Sequence, residues 1–270
     1  MSALYMVLSA AAIILFVKFG LLRAIDNIAN AMQWSPKARG QVTGYATSVP
    51  EFVTLVSAGL AGVWEAGLWN IASSNIINSG LMLCAVLFYR QFGDLMNLRF
   101  LDEILFASLA IVVPLVLMQA GMDTQWYLVP LLLGLFLVYR VLDKKVNPPA
   151  VEEKPAQQAV GSLPFGIILG LSALIAISIA GMFLGNATAA VVQQLGVRPV
   201  IAGWILGVVT SIPEMVTFFA IYASARREGK LQDLNDTQET LDNLTGSNMA
   251  NVGIVYPFGL LAFLVGSLLA

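Results

Sequence analysis

The sequence has no histidine, a single cysteine and few charged residues. Without histidine it lacks the side chain that most often relays protons and binds transition metals. The cysteine, Cys84, cannot form an intramolecular disulfide, so it gives no information on the redox compartment. Charged residues make up 11% of the 270 and hydrophobic residues 58%, whereas roughly 25% of a soluble domain is charged. This composition predicts an all-α polytopic membrane protein that contacts lipid and no nucleic acid.

Eight apolar stretches have about the length that a membrane-spanning helix needs. These predicted spans are residues 2–22, 40–63, 66–89, 101–119, 125–142, 163–185, 199–224 and 240–269. One stretch of soluble composition, 143–160, lies between the fifth and sixth. We therefore predict a first helical half at 1–142, a cytoplasmic linker at 143–160 and a second half at 161–270.

The loop charges predict the orientation through the positive-inside rule. With the N-terminus outside, twelve of the 14 Lys and Arg residues lie in inner loops. The outer loops then carry only Arg198. We therefore expect the N-terminus to lie outside the membrane.

Two short strings of residues occur twice. Thr-Ser-Val-Pro-Glu at 47–51 returns as Thr-Ser-Ile-Pro-Glu at 210–214. Asn-Ile-Ala-Ser-Ser-Asn-Ile-Ile-Asn at 70–78 returns as Asn-Leu-Thr-Gly-Ser-Asn-Met-Ala-Asn at 243–251. Each copy of the first string places a glutamate inside a membrane span, and such a carboxylate is a functional candidate by default.

The two predicted repeats, 40–89 and 199–262, cross the membrane in opposite directions because their first spans lie five spans apart. Inverted repeats of this kind place a transporter's binding site near the midplane, between the two halves. The sequence therefore predicts an inverted-repeat transporter fold.

The repeated residues carry oxygen atoms on shared helix faces. Residues four apart face the same way in a helix, which groups a threonine with a glutamate in each first string and a serine with an asparagine in each second string. Prolines 50 and 213 cannot donate a backbone hydrogen bond, so each leaves a carbonyl free. Hard cations such as Na⁺ and Ca²⁺ prefer oxygen ligands of these kinds.

Basic residues are missing from the segments that hold the strings. Residues 41–89, 199–225 and 231–270 contain no Lys or Arg, so Glu51 and Glu214 have no evident salt-bridge partner. Two ionised carboxylates buried together are untenable without compensation. They must bind cations or take up protons, and alternation between such states is ion exchange.

A purely structural interpretation is possible for each string. One Thr-Ser-x-Pro-Glu could be a proline kink with a polar contact, but its recurrence in step with the second string disfavours this. The serines and asparagines of the second strings could serve interhelical hydrogen bonding.

The strings resemble the paired α-repeats of the sodium/calcium exchanger (cation/Ca²⁺ antiporter) superfamily, approximately Gly-Thr-Ser-x-Pro-Glu and Gly-Asn-x-x-Gly-Ser-Asn-x-x-Asn/Asp. The match covers close to half the chain. The resemblance implies Na⁺-driven exchange of Ca²⁺ by alternating access, with both ions as transported substrates, no tightly bound cofactor and no enzymatic activity. It also suggests, with the small size, a prokaryotic inner membrane.

By motif position, the resemblance implies that Glu51 and Glu214 are the central cation ligands. The other implied ligands are hydroxyl, amide and backbone oxygens at Thr47, Ser48, Thr210, Ser211, Ser74, Asn78, Ser247, Asn251, Gly44 and Gly207.

The sequence departs from the family pattern at several points. Ala46 and Val209 stand where Gly often precedes Thr, and Trp69 replaces the Gly before Asn70. Many members have Asp where Asn251 stands, so this site has two carboxylates, which leaves ion selectivity open. The family has ten helices, so two final helices are expected to be lacking, and a homo-oligomer or a partner could supply them.

Three other functions compete with this prediction. Asn251 leaves open an exchanger of another cation, Mg²⁺ or H⁺. A cation channel is disfavoured because channels repeat their ligands as rings around the pore axis. An intramembrane carboxylate enzyme would need an acid–base pair at a scissile bond, and the sequence indicates no substrate pocket.

Overall fold

The computed structural model describes residues 2–146, 162–227, 229, 231 and 234–269, and its regular elements there are all helical. Most of the predicted linker lies outside the described residues. The helices are α1 (Ser2–Phe16), α2 (Leu22–Met32), α3 (Pro36–Thr47), α4 (Val49–Leu60), α5 (Trp64–Phe88), α6 (Phe92–Leu95), α7 (Leu101–Gln119), α8 (Leu128–Val146), α9 (Leu163–Leu195), α10 (Pro199–Thr210), α11 (Ile212–Arg227), α12 (Leu234–Ala250) and α13 (Tyr256–Leu269). Short π-helical turns join α1 to α2 and α12 to α13.

Six helical stretches among the described residues are long and apolar enough to cross a membrane. They are Leu4–Met32, Trp64–Phe88, Leu98–Gln119, Leu163–Ala187, Pro199–Arg227 and Leu234–Leu269. The other two predicted spans correspond to α3–α4, two helices of 12 residues each, and to α8, which has charged residues in its last turns. The polytopic membrane protein is confirmed, whereas the count of eight spans stays a prediction.

The bundle has two ends that can be told apart by their polar contacts. At one end, Lys37 pairs with Asp143 at 2.6 Å; we call this the Lys37 end. At the other, the Trp64 indole and the Tyr256 hydroxyl both donate to Asp123, each at 2.9 Å; we call this the Trp64 end. Which end faces the cytoplasm is a prediction from the loop charges.

The two repeats run in opposite directions between these ends. The pair α3–α4 begins beside Lys37 and ends near Trp64. The pair α10–α11 begins where Gly203 packs against Ala66 and Trp69, close to Trp64. It ends where Ser224 lines a cavity together with Arg39. The inverted arrangement predicted from the sequence is therefore confirmed.

Each repeat's first helix packs against the second helix of the other repeat. Helix α3 lies so close to α12 that a Cβ atom at Gly44 would overlap the Asn243 carbonyl oxygen. Helix α10 lies equally close to α5, where a Cβ atom at Gly207 would overlap the Ser73 hydroxyl. Small residues allow such backbone approach in membrane bundles. The crossed packing brings all four repeated strings to the middle of the bundle.

Candidate cation-binding site

Both copies of the Thr-Ser-x-Pro-Glu string interrupt a helix. Ser48 separates α3 from α4, and Ser211 separates α10 from α11. The proline that follows needs no hydrogen-bond acceptor, so it fits the start of the next helix. Each glutamate consequently lies in the first turn of a new helix, where the helix dipole favours negative charge. Discontinuous helices of this kind form the substrate sites of many transporters.

Glu51 and Glu214, which we call the glutamate pair, are fully buried, with 0% exposure. Neither carboxylate oxygen of Glu51 has a hydrogen-bond partner among the described residues, and neither does Glu214 Oε2. Glu214 Oε1 accepts a hydrogen bond of 3.1 Å from the Ser247 hydroxyl. The two carboxylates lie close enough to repel one another. Unpartnered buried carboxylates are expensive, so this arrangement favours a bound cation.

Hydroxyl groups from both repeats face each glutamate. Thr210 and Ser74 face Glu51, and their hydroxyls lie 3.2 Å from each other. Thr47 and Ser247 face Glu214. Each threonine thus faces the glutamate of the other repeat. The expected grouping of each threonine with its own glutamate assumed a continuous helix, and the break in the string removes that basis.

The backbone oxygens at the two helix breaks differ. The Gly44 carbonyl accepts hydrogen bonds from the hydroxyls of Thr47 (3.1 Å) and Ser48 (3.0 Å). The Gly207 carbonyl accepts the backbone amide of Ser211 at 3.1 Å. Ser48 also contacts the Ser247 hydroxyl at 3.0 Å, whereas the Ser211 hydroxyl is buried with no partner among the described residues. The site is therefore only approximately symmetric.

Asparagine side chains form a second layer of the site. The Asn251 amide nitrogen donates to Asn75 Oδ1 at 2.9 Å, and the Asn78 amide nitrogen donates to Asn248 Oδ1 at 3.4 Å. The Oδ1 atoms of Asn78 and Asn251 are buried and accept no hydrogen bond from the described residues. Each amide is thus held through its nitrogen while its oxygen is available as a ligand.

The sequence analysis missed three asparagines that hold this site together. Asn75 and Asn248 orient the second layer, with the Asn248 amide nitrogen donating to the Asn75 carbonyl at 3.2 Å. Asn70 Oδ1 accepts the Thr210 hydroxyl at 3.2 Å. The signal was present, because Asn75 and Asn248 occupy the same position of the repeated string, as do Asn70 and Asn243.

No basic side chain reaches the glutamate pair within the described part of the chain. The ion pairs formed by Lys37, Arg39 and Arg140 lie at the Lys37 end, and none of these pairs includes Glu51 or Glu214. The site therefore has two carboxylates, surrounding hydroxyl and amide oxygens, and no internal counter-charge. Such a set of oxygens can bind hard cations from solution.

Comparison with known proteins agrees with this geometry. The profile of the family described as "Sodium/calcium exchanger protein" matches residues 2–143 and 165–268. No curated protein sequence matches the chain significantly.

Solved structures of the sodium-calcium exchanger NCX_Mj share the fold. The form soaked with 100 mM Na⁺ and 10 mM Sr²⁺ aligns with a TM-score of 0.58 and 22% identity, over 97% of this chain and 82% of that one. The form soaked with 10 mM Na⁺ and zero Ca²⁺ aligns with a TM-score of 0.59 and 22% identity, over 97% of this chain and 84% of that one. Because the family profile covers both halves, with the two repeated strings inside it, the chain belongs to the sodium/calcium exchanger family.

Proposed function

We propose that this protein is a secondary active antiporter that moves Na⁺ against Ca²⁺ by alternating access, in a prokaryotic inner membrane. The observation that carries the proposal is the glutamate pair: two fully buried carboxylates with three unpartnered oxygens. Family membership supports a cation antiporter, and the NCX_Mj structures support the fold.

In this proposal, the glutamate pair supplies the charge and its surroundings supply neutral oxygens. Glu51 and Glu214 neutralise the cation, and Asn78 and Asn251 contribute their unpartnered amide oxygens. The remaining proposed ligands are the hydroxyls and backbone carbonyls at the two helix breaks and on α5 and α12, namely Thr47, Ser48, Thr210, Ser211, Ser74, Ser247, Gly44 and Gly207.

The charge of the site explains why transport would be exchange. With no cation bound, two adjacent carboxylates lie in a medium of low dielectric without compensation, a costly state. A conformational change through this empty state is disfavoured. Bound Ca²⁺ or Na⁺ removes the penalty, so the protein changes access only when loaded. Release of one ion must then be followed by binding of another.

Ion flux in proteoliposomes tests the proposal. An outward Na⁺ gradient should drive ⁴⁵Ca²⁺ uptake, and Glu51→Gln or Glu214→Gln should each abolish it, because either leaves one charge for a divalent ion. Glu65→Gln is the matched control, since Glu65 is an exposed first-turn acid of α5 and its loss should leave uptake unchanged. Uptake that ignores the Na⁺ gradient would refute Na⁺-coupled antiport.

A second candidate is exchange of another cation, Mg²⁺ or H⁺, on the same site. The observation that favours it is Asn251, whose neutral amide is held by Asn75 at 2.9 Å. The site then offers two carboxylates, and the neutral oxygen of Asn251 gives no added preference for a divalent ion.

A further inference from the structure

A cavity of about 510 Å³ opens at the Lys37 end between α2, α3, α11 and α12. Ser224 and Asn235 line its outer part and are exposed. Thr43 and Thr217 line its inner part and are buried. The cavity therefore runs from the surface into the bundle.

The inner part of the cavity lies next to the glutamate pair. Thr217 follows Glu214 by three residues in α11, and Thr43 precedes Thr47 by four residues in α3. Residues at these spacings are neighbours on a helix, with Cβ atoms roughly 5–6 Å apart. The Thr217 hydroxyl donates to the Pro213 carbonyl at 2.9 Å. The cavity thus reaches within one helical turn of both strings.

On the other side of α3, polar contacts between helices close the route from the surface to the glutamate pair. We call Lys37, Gln41, Arg140, Asp143 and Asp242 the Lys37 network. Asp143 accepts from Lys37 at 2.6 Å and from Gln41 at 2.7 Å. Gln41 also donates to Asp242 at 3.3 Å and accepts from Arg140 at 2.6 Å. These contacts join α3, α8 and α12 tightly, whereas the α2–α11 side remains open.

Arg39 crosses the outer part of the cavity. Its Nη2 atom lies 2.7 Å from Asp26 Oδ1 on α2, and its Nε atom lies 3.4 Å from Glu239 Oε1 on α12. All three side chains line the cavity. Both pairs are partly exposed, so they are weak enough to exchange with cations from solution.

We propose that this cavity is the vestibule through which cations reach the glutamate pair from the Lys37 end, and that Arg39 is the residue that closes it. The inference rests on the proposed function. Asp26, Asp236 and Glu239 make the vestibule net negative, which attracts cations. Arg39 acts as a tethered cation there, and it must leave Asp26 and Glu239 before an ion passes inward.

Thiol labelling tests the vestibule without any transport measurement. In a Cys84→Ala background, Thr217→Cys should react with methanethiosulfonate-ethyltrimethylammonium, a cationic and membrane-impermeant reagent. Two exposed positions define the sides of the membrane: Gly93→Cys marks the Lys37 end, and Ala61→Cys marks the Trp64 end. Thr217→Cys should react only with reagent added on the side from which Gly93→Cys is labelled. Because the sides are defined by these references, the result does not depend on the predicted orientation.

The role of Arg39 is tested by the rate of the same reaction. When Arg39→Gln is added to the Thr217→Cys variant, the reagent should label the cysteine about fivefold faster. This change in rate corresponds to about 1 kcal/mol of lost ion pairing. Arg226→Gln is the control, since Arg226 is exposed at the same end and lies outside the cavity lining.

The possible outcomes separate this inference from the proposed function. Labelling from the Ala61 side, an absence of labelling in every variant, or equal rates with and without Arg39 would overturn the inference, even if Na⁺-driven Ca²⁺ uptake is intact. If labelling is as expected but Ca²⁺ uptake does not depend on the Na⁺ gradient, the vestibule is supported and Na⁺-coupled antiport is refuted.

Discussion

The glutamate pair and the Lys37 network both contain buried carboxylates, yet the partners of those carboxylates differ completely. In the Lys37 network, Asp143 and Asp242 are compensated by Lys37 and by amide donors. In the glutamate pair, three of the four oxygens have no partner among the described residues. A buried acid with its own counter-charge stabilises the bundle, whereas one without it requires an ion from solution.

The largest expected effect is a loss of stability on substitution in the Lys37 network. Asp143→Asn leaves the Lys37 ammonium buried without its closest carboxylate, 2.6 Å away. Removal of one partner of a buried pair destabilises a protein by about 3–5 kcal/mol. Unfolding in detergent should show that loss. The double variant Asp143→Asn with Lys37→Met should recover part of it, and wild-type stability of the single variant would contradict the structural role.

A smaller effect is expected where the helices of the two repeats cross at the site. Gly207→Ala places a Cβ atom against the Ser73 hydroxyl on α5, and overpacking of this kind costs about 1–3 kcal/mol. Thermal unfolding should therefore begin at a lower temperature. Gly134→Ala is the matched control, because no atom lies within 4 Å of its new Cβ. Equal melting temperatures in the two variants would show that α5 and α10 are not so close.

The smallest expected effect is a change in selectivity rather than in stability or activity. Asn251→Asp adds a third carboxylate and replaces the amide that donates to Asn75. The added charge should strengthen Ca²⁺ binding relative to Na⁺, and Ca²⁺ uptake at a fixed Na⁺ concentration reports the ratio. An unchanged ratio would show that residue 251 does not contact the ion.

The sequence predicted the helical membrane fold and the inverted repeats because both follow from composition and repetition. It did not predict that Thr47 faces Glu214, because helical periodicity describes one helix and that contact joins two. The Lys37 network was missed for another reason. Lys37 lies before the predicted span 40–63 and Asp242 lies at the start of the predicted span 240–269, whereas α3 begins at Pro36 and α12 at Leu234.

Helix α12 carries polar residues on more than one face. Asp242 belongs to the Lys37 network, and the Gln238 amide nitrogen donates to it at 2.6 Å. Glu239, on another face, reaches Arg39 in the vestibule. Further along the same helix, Ser247 donates to Glu214. Helix α12 therefore contributes residues to the Lys37 network, to the vestibule and to the surroundings of the glutamate pair, which explains why its sequence is polar.

Equilibrium binding of ⁴⁵Ca²⁺ to the purified protein tests the central claim most directly, since it asks whether the uncompensated carboxylates hold the ion. We expect saturable binding that Na⁺ displaces, and loss of that binding in the double variant Glu51→Gln, Glu214→Gln. An unchanged helical circular-dichroism signal checks that the double variant is folded. Ca²⁺ binding of wild-type strength in that folded double variant would contradict the claim.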